Sequence, residues 1–371
     1  MKIAERMLGI ERSLLRKIFD SAPNDSLNLG LGEIRFPTPR LLIKSGQKIL
    51  ENGYLGYTPN AGLFETRQVI ADYYENLIDP DQVCVTNGAE EGIFASILST
   101  VNPGDEVLLT DPCFVAYSSV IKMAGGIPVY IGLPSENSFE LNYDNIKAKI
   151  SPRTTTFLFS NPSNPLSKSF SSEERESIIK ISRENNITII ADEIYRDLYY
   201  HQRSESFLES TDNVIVISGL SKSHCMTGWR LGWVATNNKS VLTAIVNAHQ
   251  YISTCASYIS QKVTVMALSE AGMATVNSLK NILKTNLEIL LDFMRTHFTN
   301  FRFVEPDAAP YLFFTLGTDD ILLAQKLAKL GIIVIPGRTF GSNGKGWIRM
   351  NYSISKIQLK KLFTKLSLLT I

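Results

Sequence analysis

The sequence predicts an α/β fold: a large domain with a mostly parallel sheet, joined to a smaller α+β domain. Between residues 83 and 236, short apolar runs rich in β-branched residues alternate with segments of helical periodicity. Such alternation is typical of strands that a parallel sheet buries on both faces. From about residue 240 the pattern becomes helical, and roughly the last seventy residues mix strand-like and helical segments. This change of pattern indicates the second domain.

Length and composition favour a globular protein of two domains. The chain has 371 residues, 44% of them hydrophobic, and chains of this length usually divide into more than one domain. The net charge is only +1, so we expect no nucleic-acid and no membrane partner. The charged N-terminus lacks the apolar middle of a signal peptide, and no apolar run is long enough to span a bilayer. We therefore predict a cytoplasmic protein.

Cysteine and histidine spacing gives no support for a disulfide framework or a metal site. The four cysteines lie far apart without a CxxC pattern, and the four histidines show no HxxxH pattern. We therefore expect free thiols and no metal. GxGxxG and GxxxxGKS/T are also missing from the sequence, so it gives no support for a Rossmann dehydrogenase or a P-loop nucleotidase.

The N-terminal residues predict an amphipathic helix that packs on the body of the protein. Its apolar positions recur at intervals of three and four: Ile3, Met7, Ile10, Leu14 and Ile18. We expect residues 1–50 to form a segment that joins the small domain. Residues 51–275 should form the large domain, and residues 276–371 the small α+β domain.

Six apolar runs are the predicted strands of the large sheet: VCVTNG, EVLLTDP, IPVYI, TTFLFS, ITIIADE and VIVISGL. Ser171 and Glu174 form a capping box ahead of the helix that follows the fourth run. A long helix is predicted with these residues on its buried side: Leu279, Ile282, Leu287 and Leu290. The small domain should contain the strands YLFFTL, IIVIPG and WIRMNYS and the helices DILLAQKLAKL and KIQLKKLFTKL.

Polar residues follow four of the predicted strands, at the edge where parallel sheets gather ligand groups. These segments are residues 87–90, 161–165, 192–195 and 219–222. The Gly-Ala turn before a helix offers free backbone N–H groups and the positive end of a helix dipole, which suits a phosphate. Each segment alone is more often a simple turn or helix cap, so the argument depends on their joint order.

That order resembles the pyridoxal-phosphate-dependent aminotransferases of classes I and II, which have the aspartate aminotransferase-like fold (fold type I). The motifs that carry the resemblance are LNLGLGEIRFPTP, YTPNAGLFETR, VTNGAEEG, DPCFVAY, SNPSNP, ADEIY, SGLSKSHCMTGWRLGW and WIRMNYS. They occur in the family's order over nearly the whole chain. The most specific is the lysine followed eight residues later by an arginine, Lys222 and Arg230.

The resemblance implies roles for the residues around the ring of the cofactor, pyridoxal 5'-phosphate. Lys222 is similar to the lysine that binds the cofactor aldehyde covalently and then moves the substrate proton. Asp192 resembles the carboxylate that pairs with the pyridine nitrogen. Tyr195 and Asn164 resemble the pair that bonds the phenolic oxygen of the ring, and Phe114 the aromatic residue stacked on its face.

The resemblance also implies a phosphate site and a substrate site. The residues assigned to the phosphate are Gly88, Ala89, Glu90, Ser221, Arg230 and Tyr57. In this family the tyrosine comes from the other subunit, which implies a homodimer with a shared active site. Arg349 is similar to the arginine that binds the substrate α-carboxylate through two parallel bonds. The Gly32 backbone would meet the same carboxylate, and Asn164 would also contact the substrate.

The chain departs from the family's pattern at five positions. Leu166 and Ser167 stand where relatives often have Thr and Gly, so the loop after Asn164 could differ in shape. Gly219 stands where many relatives have a phosphate-binding serine, and Cys225, which we interpret as a packing residue, where alanine is usual. Arg35 replaces an aspartate. We favour a surface role for this arginine over one as a cation at the substrate entrance.

The favoured function is amino transfer from an L-amino acid to a 2-oxo acid by a ping-pong mechanism. A lyase or cyclase that uses the same cofactor is the alternative, and a non-catalytic ligand-sensing protein is a third hypothesis. The segment SVLTAIVNAHQYISTCASYISQK contains no arginine, although relatives that prefer dicarboxylic amino acids often have one there. We therefore predict a neutral or aromatic substrate, with Tyr251 or His249 near its side chain.

Overall fold

The computed structural model describes residues 2–8, 25–75, 77–210 and 213–370. Its α-helices are α1 Arg40–Glu51, α2 Phe64–Tyr73, α3 Ala89–Thr100, α4 Ala116–Met123, α5 Tyr143–Lys147, α6 Ser172–Asn185, α7 Lys239–Ser253, α8 Tyr258–Ala267, α9 Glu270–His297, α10 Asp320–Lys329 and α11 Lys356–Leu366. Its strands are β1 Leu27–Asn28, β2 Val83–Thr86, β3 Glu106–Asp111, β4 Ile127–Gly132, β5 Thr154–Ser160, β6 Thr188–Asp192, β7 Val214–Gly219, β8 Gly232–Ala235, β9 Arg302–Phe303, β10 Tyr311–Thr315, β11 Ile332–Ile333, β12 Ile335–Pro336 and β13 Ile348–Asn351. Short 3-10 helices lie at Glu5–Met7, Pro80–Gln82, Ser135–Asn137, Phe207–Glu209, Thr227–Trp229, Gly337–Phe340 and Ser342–Gly344.

The large sheet has seven strands in the order β2-β8-β7-β6-β5-β3-β4. All six predicted strands belong to it, which confirms the mostly parallel α/β fold. The seventh strand, β8, was not predicted. It runs antiparallel to both of its neighbours, β2 and β7, and its four residues directly follow the SKSHCMTGWRLG segment, where no separate apolar run is visible.

Both faces of the central strands of this sheet are buried, because successive side chains enter different cores. In β3, Val107 and Leu109 belong to one hydrophobic cluster and Leu108 to the other. In β5, Leu158 and Phe157 divide in the same way. A sheet covered on both faces exposes ligand sites chiefly at the ends of its strands, where the polar segments lie.

A second unit surrounds the antiparallel sheet β12-β13-β10-β9. Its core joins this sheet to α9, α10 and α11 through a third hydrophobic cluster. The short parallel pair β1–β11 ties the segment before α1 to the same unit. The boundaries at residues 50 and 275 stay a prediction.

The long helix α9 corrects one predicted residue. Leu279, Leu287 and Leu290 are buried as expected, but Ile282 is 44% exposed. Leu283 takes its place in the core, because a step of four from Leu279 and another of four to Leu287 keep the stripe on one face. The capping box at Ser171 and Glu174 is confirmed, with each side chain bonded to the backbone of the other residue.

The predicted N-terminal helix falls mostly outside the described residues. Ile10, Leu14 and Ile18 are not described. Ile3 lies just before the short 3-10 helix Glu5–Met7, and Met7 is the last residue of that helix. Both side chains are exposed. Within the described part of the chain, no helix combines the length and the apolar character that crossing a bilayer requires.

Candidate active site

A cavity of about 450 Å³ lies at the carboxyl ends of the central strands. Its size falls in the range of small-molecule sites. Eleven of the residues assigned from the sequence line it: Gly32, Ala89, Glu90, Phe114, Asn164, Asp192, Tyr195, Ser221, Lys222, Arg230 and Arg349. The ends of the parallel strands β5, β6 and β7 contribute five of them, whereas Arg349 comes from β13 of the second unit.

Lys222 follows β7, and its amine donates a hydrogen bond to the Gly32 carbonyl over 2.6 Å. Burial, together with the positive charges of Arg349 and Arg230, lowers the pKa of this amine to about 8 against the opposing effect of Asp192. With that pKa about one amine in ten is neutral at pH 7, against roughly one in three thousand for an ordinary lysine. The amine is therefore prepared for nucleophilic and proton-transfer chemistry near neutral pH.

Asp192 ends β6 as a buried carboxylate with two hydrogen bonds. Tyr117 donates its hydroxyl to one oxygen over 2.8 Å, and the Ile194 N–H donates to the other over 3.2 Å. Burial raises the pKa of Asp192 to about 6, although both hydrogen bonds and the positive charge of Lys222 act against that rise. A carboxylate held rigidly in this way suits a protonated ring nitrogen.

The turn between β2 and α3 forms a backbone cradle. Gly88 has a φ of 92°, a conformation that favours glycine. A Cβ added there would come within 2.5 Å of Arg230 Nη2, so Gly88 borders the site although it does not line the cavity. Ala89 begins α3, and its N–H and the next one have no partner within the helix. With Ser221 and the Arg230 guanidinium, this helix end suits a phosphate.

Arg349 is a buried arginine with one donor left unpaired. Its two terminal nitrogens donate to Asn164 Oδ1 over 2.7 Å and to the Gly30 carbonyl over 2.6 Å, while Nε has no partner among the described residues. The guanidinium lies between the rings of Tyr311 and Phe340, 4.4 and 4.7 Å from their centroids. Burial lowers the pKa of Arg349 from its usual value. A carboxylate ligand would return the charge balance that this buried cation lacks.

Tyr195 also lies in the cavity, where its hydroxyl is 2.6 Å from that of Tyr311. Burial raises the pKa of Tyr195 well above its usual value, and Tyr311 adds to the rise. The Tyr311 hydroxyl also limits position 32, because a Cβ on Gly32 would lie 2.8 Å from it. The glycine thus brings a bare backbone close to the lysine and the two tyrosines.

Besides Gly88, three residues suggested from the sequence do not line this cavity. Tyr57 is 90% exposed. Tyr251 is also exposed on α7. His249 is buried, with Nδ1 2.9 Å from Glu91 Oε1, so its ring faces α3 and is not available to a substrate side chain.

The departures from the family's pattern have structural explanations at several positions. Ser167 adopts a φ of 57°, the left-handed region that favours the glycine common in relatives. Leu166 packs in the core. A Cβ at Gly219 would lie 2.7 Å from the Leu231 carbonyl, so a serine has no room between β7 and β8.

Cys225 and Arg35 are both engaged in local structure. Burial raises the pKa of the Cys225 thiol to about 12, which opposes thiolate chemistry and agrees with a packing role. The Arg35 guanidinium donates to the Asn28 carbonyl over 2.6 Å.

Tyr117, Tyr311 and Phe340 line or support the site but were not predicted from the sequence. Tyr117 lies in the DPCFVAY motif, three residues after Phe114, and both side chains line the cavity. Tyr311 begins the predicted strand YLFFTL. No sequence signal indicates Phe340, which the tertiary fold alone brings to Arg349.

We expect Lys222 to titrate near pH 8 in the cofactor-free protein. Because only the neutral amine is acylated, brief treatment with acetic anhydride between pH 6 and 11 should give a labelling midpoint near pH 8 by peptide mass spectrometry. Asp192→Asn should move the midpoint lower, since the negative charge of Asp192 favours the protonated amine. A midpoint above pH 10 in both proteins would show that the cavity does not perturb this lysine.

Comparison with known proteins agrees with the geometry. The family model for aminotransferase class I and II matches residues 24–366. A probable aspartate aminotransferase of Methanocaldococcus jannaschii is 31% identical over 370 residues, covering 97% of each chain. The aspartate aminotransferase of Thermotoga maritima superposes with a TM-score of 0.90 at 28% identity, covering 98% of this chain and 99% of the other. The aromatic aminotransferase of Pyrococcus horikoshii gives 0.88 at 26% identity, covering 95% and 97%. The chain therefore belongs to the class I and II aminotransferases, a family of pyridoxal-phosphate-dependent enzymes.

Proposed function

We propose that this protein holds pyridoxal 5'-phosphate in the cavity and transfers an amino group from an L-amino acid to a 2-oxo acid by a ping-pong mechanism. The observation that carries the proposal is the meeting of three groups in one cavity: the Lys222 amine with its lowered pKa, the Asp192 carboxylate and the Arg349 guanidinium. When bound, the cofactor supplies an aldehyde and a ring that withdraws electrons from the substrate Cα.

The residues present fit this cofactor. The Gly88 turn, the N-terminus of α3, Ser221 and Arg230 form an anion cradle that suits its phosphate. Asp192 lies buried where it can accept a bond from the ring nitrogen, and Phe114 offers an aromatic face. With Lys222 for the aldehyde, these residues match three polar parts of the cofactor: the phosphate, the ring nitrogen and the aldehyde.

Each protein group has a step that its geometry allows. Arg349, with its free Nε, would hold the substrate α-carboxylate and so fix the orientation of the Cα–H bond. Lys222 Nζ would accept the Cα proton and return it at C4′, the aldehyde carbon of the cofactor. Asn164 Nδ2 and the Tyr195 hydroxyl remain to bond the phenolic oxygen, since the Asn164 carbonyl oxygen is already held by Arg349. These positions support amino transfer, but they do not identify which amino acid is the donor.

A half-reaction in the absence of any acceptor tests the proposed chemistry. Mixed with a donor amino acid alone, the enzyme should release about one 2-oxo acid per active site and then stop, without ammonia. Continued turnover with ammonia release would favour the lyase alternative.

Lys222→Ala should lower the rate of this half-reaction at least about a hundredfold, because the proton carrier is lost. Lys239→Ala, on the exposed start of α7, is the control and should behave as wild type.

Arg349→Lys provides a second arm of this test. A point charge replaces the planar fork, so KM for the amino acid should rise about tenfold. Arg302→Lys, an exposed substitution on β9, is the matched control. Unchanged kinetics in Arg349→Lys would place the carboxylate site elsewhere.

We further propose that the substrate is a neutral, apolar or aromatic amino acid. Three described cations line the cavity: Lys222, Arg230 and Arg349. Each already has a proposed role, so no cation remains to pair with a second carboxylate on the substrate. Glu90 also lines the cavity, and its side chain has no hydrogen bond or ion pair to any described residue. An acidic side chain would therefore meet repulsion and an uncompensated desolvation cost.

The apolar lining supports the same preference. Ile93, Val115 and Phe340 contribute to the cavity wall. The relatives are named for different substrates, aspartate in one case and aromatic amino acids in another, so family membership leaves both classes open.

The preference can be measured with a series of donors. We expect kcat/KM for leucine, methionine and phenylalanine to exceed that for aspartate and glutamate by at least about tenfold, the size of one lost charge contact. Glu90→Gln should raise kcat/KM for aspartate several-fold with little effect on leucine, and Glu176→Gln, exposed on α6, should change neither. A preference for aspartate that disappears in Arg35→Ala would contradict the proposal and identify Arg35 as the second cation.

We also propose a homodimer in which Tyr57 reaches the phosphate of the other subunit. Within the described chain Tyr57 is 90% exposed and does not line the cavity. Tyr54, also highly exposed, lies in the same loop. Exposed aromatic residues beside one another are typical of a protein interface.

Mixed dimers test this arrangement. Tyr57→Phe should weaken cofactor binding several-fold, since one hydrogen bond to a charged group is lost, while Tyr130→Phe on β4 should not. Tyr57→Phe and Lys222→Ala chains, refolded together, should form mixed dimers with one fully native site and so recover tight binding and turnover. No recovery in such dimers would indicate that Tyr57 does not act across subunits.

A further inference from the structure

Glu91, in the first turn of α3, is almost fully enclosed although it lies beside the proposed phosphate site. Its side chain is 9% exposed, and each carboxylate oxygen is occupied. Oε2 accepts the Asn87 N–H over 2.5 Å. Oε1 accepts from His249 Nδ1 over 2.9 Å and from the Ser253 hydroxyl over 2.6 Å. A surface glutamate that only interacts favourably with the helix dipole would need none of these three hydrogen-bond donors.

The partners connect two separate parts of the chain. His249 and Ser253 lie in the last two turns of α7, which packs along α3. The Asn87 side chain closes the connection, since its Nδ2 donates to Ser253 Oγ over 3.0 Å and lies 3.4 Å from the Cys255 carbonyl. Asn87, Glu91, His249 and Ser253 thus form a ring of hydrogen bonds, here called the Asn87 clamp.

The clamp acts on the residue from which the phosphate cradle begins. Gly88 and Ala89 follow Asn87 directly, so the direction of their N–H groups depends on how the Asn87 backbone is held. The Asn87 carbonyl lies 3.5 Å from Arg230 Nη2, and the other terminal nitrogen of Arg230 donates to the Thr227 carbonyl over 3.0 Å. One backbone residue therefore borders both the helix N–H groups and the arginine.

The clamp also has to compensate the negative charge of the Glu91 carboxylate. Burial alone would raise the pKa of Glu91, but hydrogen bonds from His249, Ser253 and the Asn87 N–H lower it below its usual value, so the carboxylate is ionised at neutral pH. A buried anion next to a phosphate site is unfavourable unless its charge is absorbed by donors. The three donors compensate the charge of Glu91 locally, and the same hydrogen bonds hold the turn.

We infer that Glu91, His249 and Ser253 are positioning residues for the cofactor phosphate: through Asn87 they hold the Gly88 turn and Arg230 in the geometry that binds it. The inference rests on the proposed function, because it takes the phosphate to lie at this turn. None of the three side chains lines the cavity, so they would act on the cofactor without touching it.

Binding of two probes to the cofactor-free enzyme tests the inference: pyridoxal 5'-phosphate and pyridoxal, which lacks the phosphate. Glu91→Ala should weaken the phosphorylated probe about tenfold or more and change the affinity for pyridoxal less than twofold. Glu173→Ala, another glutamate in the first turn of a helix, α6, but remote from the cavity, should change neither. A loss that is equal for the two probes would show a general structural role and overturn the inference.

Smaller changes keep the test decisive if Glu91→Ala does not fold. Ser253→Ala removes the hydrogen bonds of its hydroxyl to Glu91 and to Asn87, and Asn87→Ala removes the bond from Asn87 Nδ2 to Ser253. Each variant should lower the affinity for pyridoxal 5'-phosphate a few-fold, with pyridoxal unaffected. Unchanged affinity in both variants would refute the clamp.

Arg230→Ala separates this failure from failure of the proposed function. If Arg230→Ala weakens only the phosphorylated probe while the clamp variants do not, the phosphate site is correct and the clamp is wrong. If Arg230→Ala has no effect either, the phosphate does not bind at this turn, and the proposed site itself is wrong.

Discussion

The site depends on a lysine and an aspartate that are removed from water at the ends of neighbouring strands. β6 and β7 are parallel and adjacent, so Asp192 at the end of one and Lys222 just beyond the other enter the same cavity. Burial moves both pKa values toward neutrality, to about 6 and about 8. Neither residue would be unusual in solvent, and their reactivity follows from the fold that buries them.

Small residues allow the surrounding backbone to come close to this pair. A Cβ on Gly232 of β8 would collide with the Ala89 N–H and the Gly88 carbonyl carbon, so a larger residue would push the strand away from the start of α3. Gly219 on the neighbouring strand is restricted in the same way. The antiparallel strand β8 can therefore lie directly against the proposed phosphate turn. Arg230, which comes just before this strand in the chain, also reaches the turn.

Arg349 links the second unit to the large sheet. It lies on β13 and donates to Asn164, beyond β5, and to the Gly30 carbonyl in the segment after β1. A buried arginine is costly when unpaired, so its bonds to partners on two other segments restrict the relative positions of all three segments. Nε has no partner among the described residues, and Arg349 lines the cavity. We consider this the reason that a substrate carboxylate could be recognised at the junction of the two units.

The sequence by itself determined the mostly parallel sheet, the capping box at Ser171 and most of the cavity, because each follows from local patterns: alternating apolar runs, a cap spacing, and motifs that resemble a family. It did not reveal β8, whose four residues carry no periodic signal, or the exposure of Ile282, which depends on where one helix stripe meets its core. Only the tertiary structure decided that His249 faces Glu91, that Tyr117 supports Asp192 and that Phe340 covers Arg349. Each of these contacts joins residues far apart in the chain, and packing between such residues is set by the whole fold, which no local pattern records.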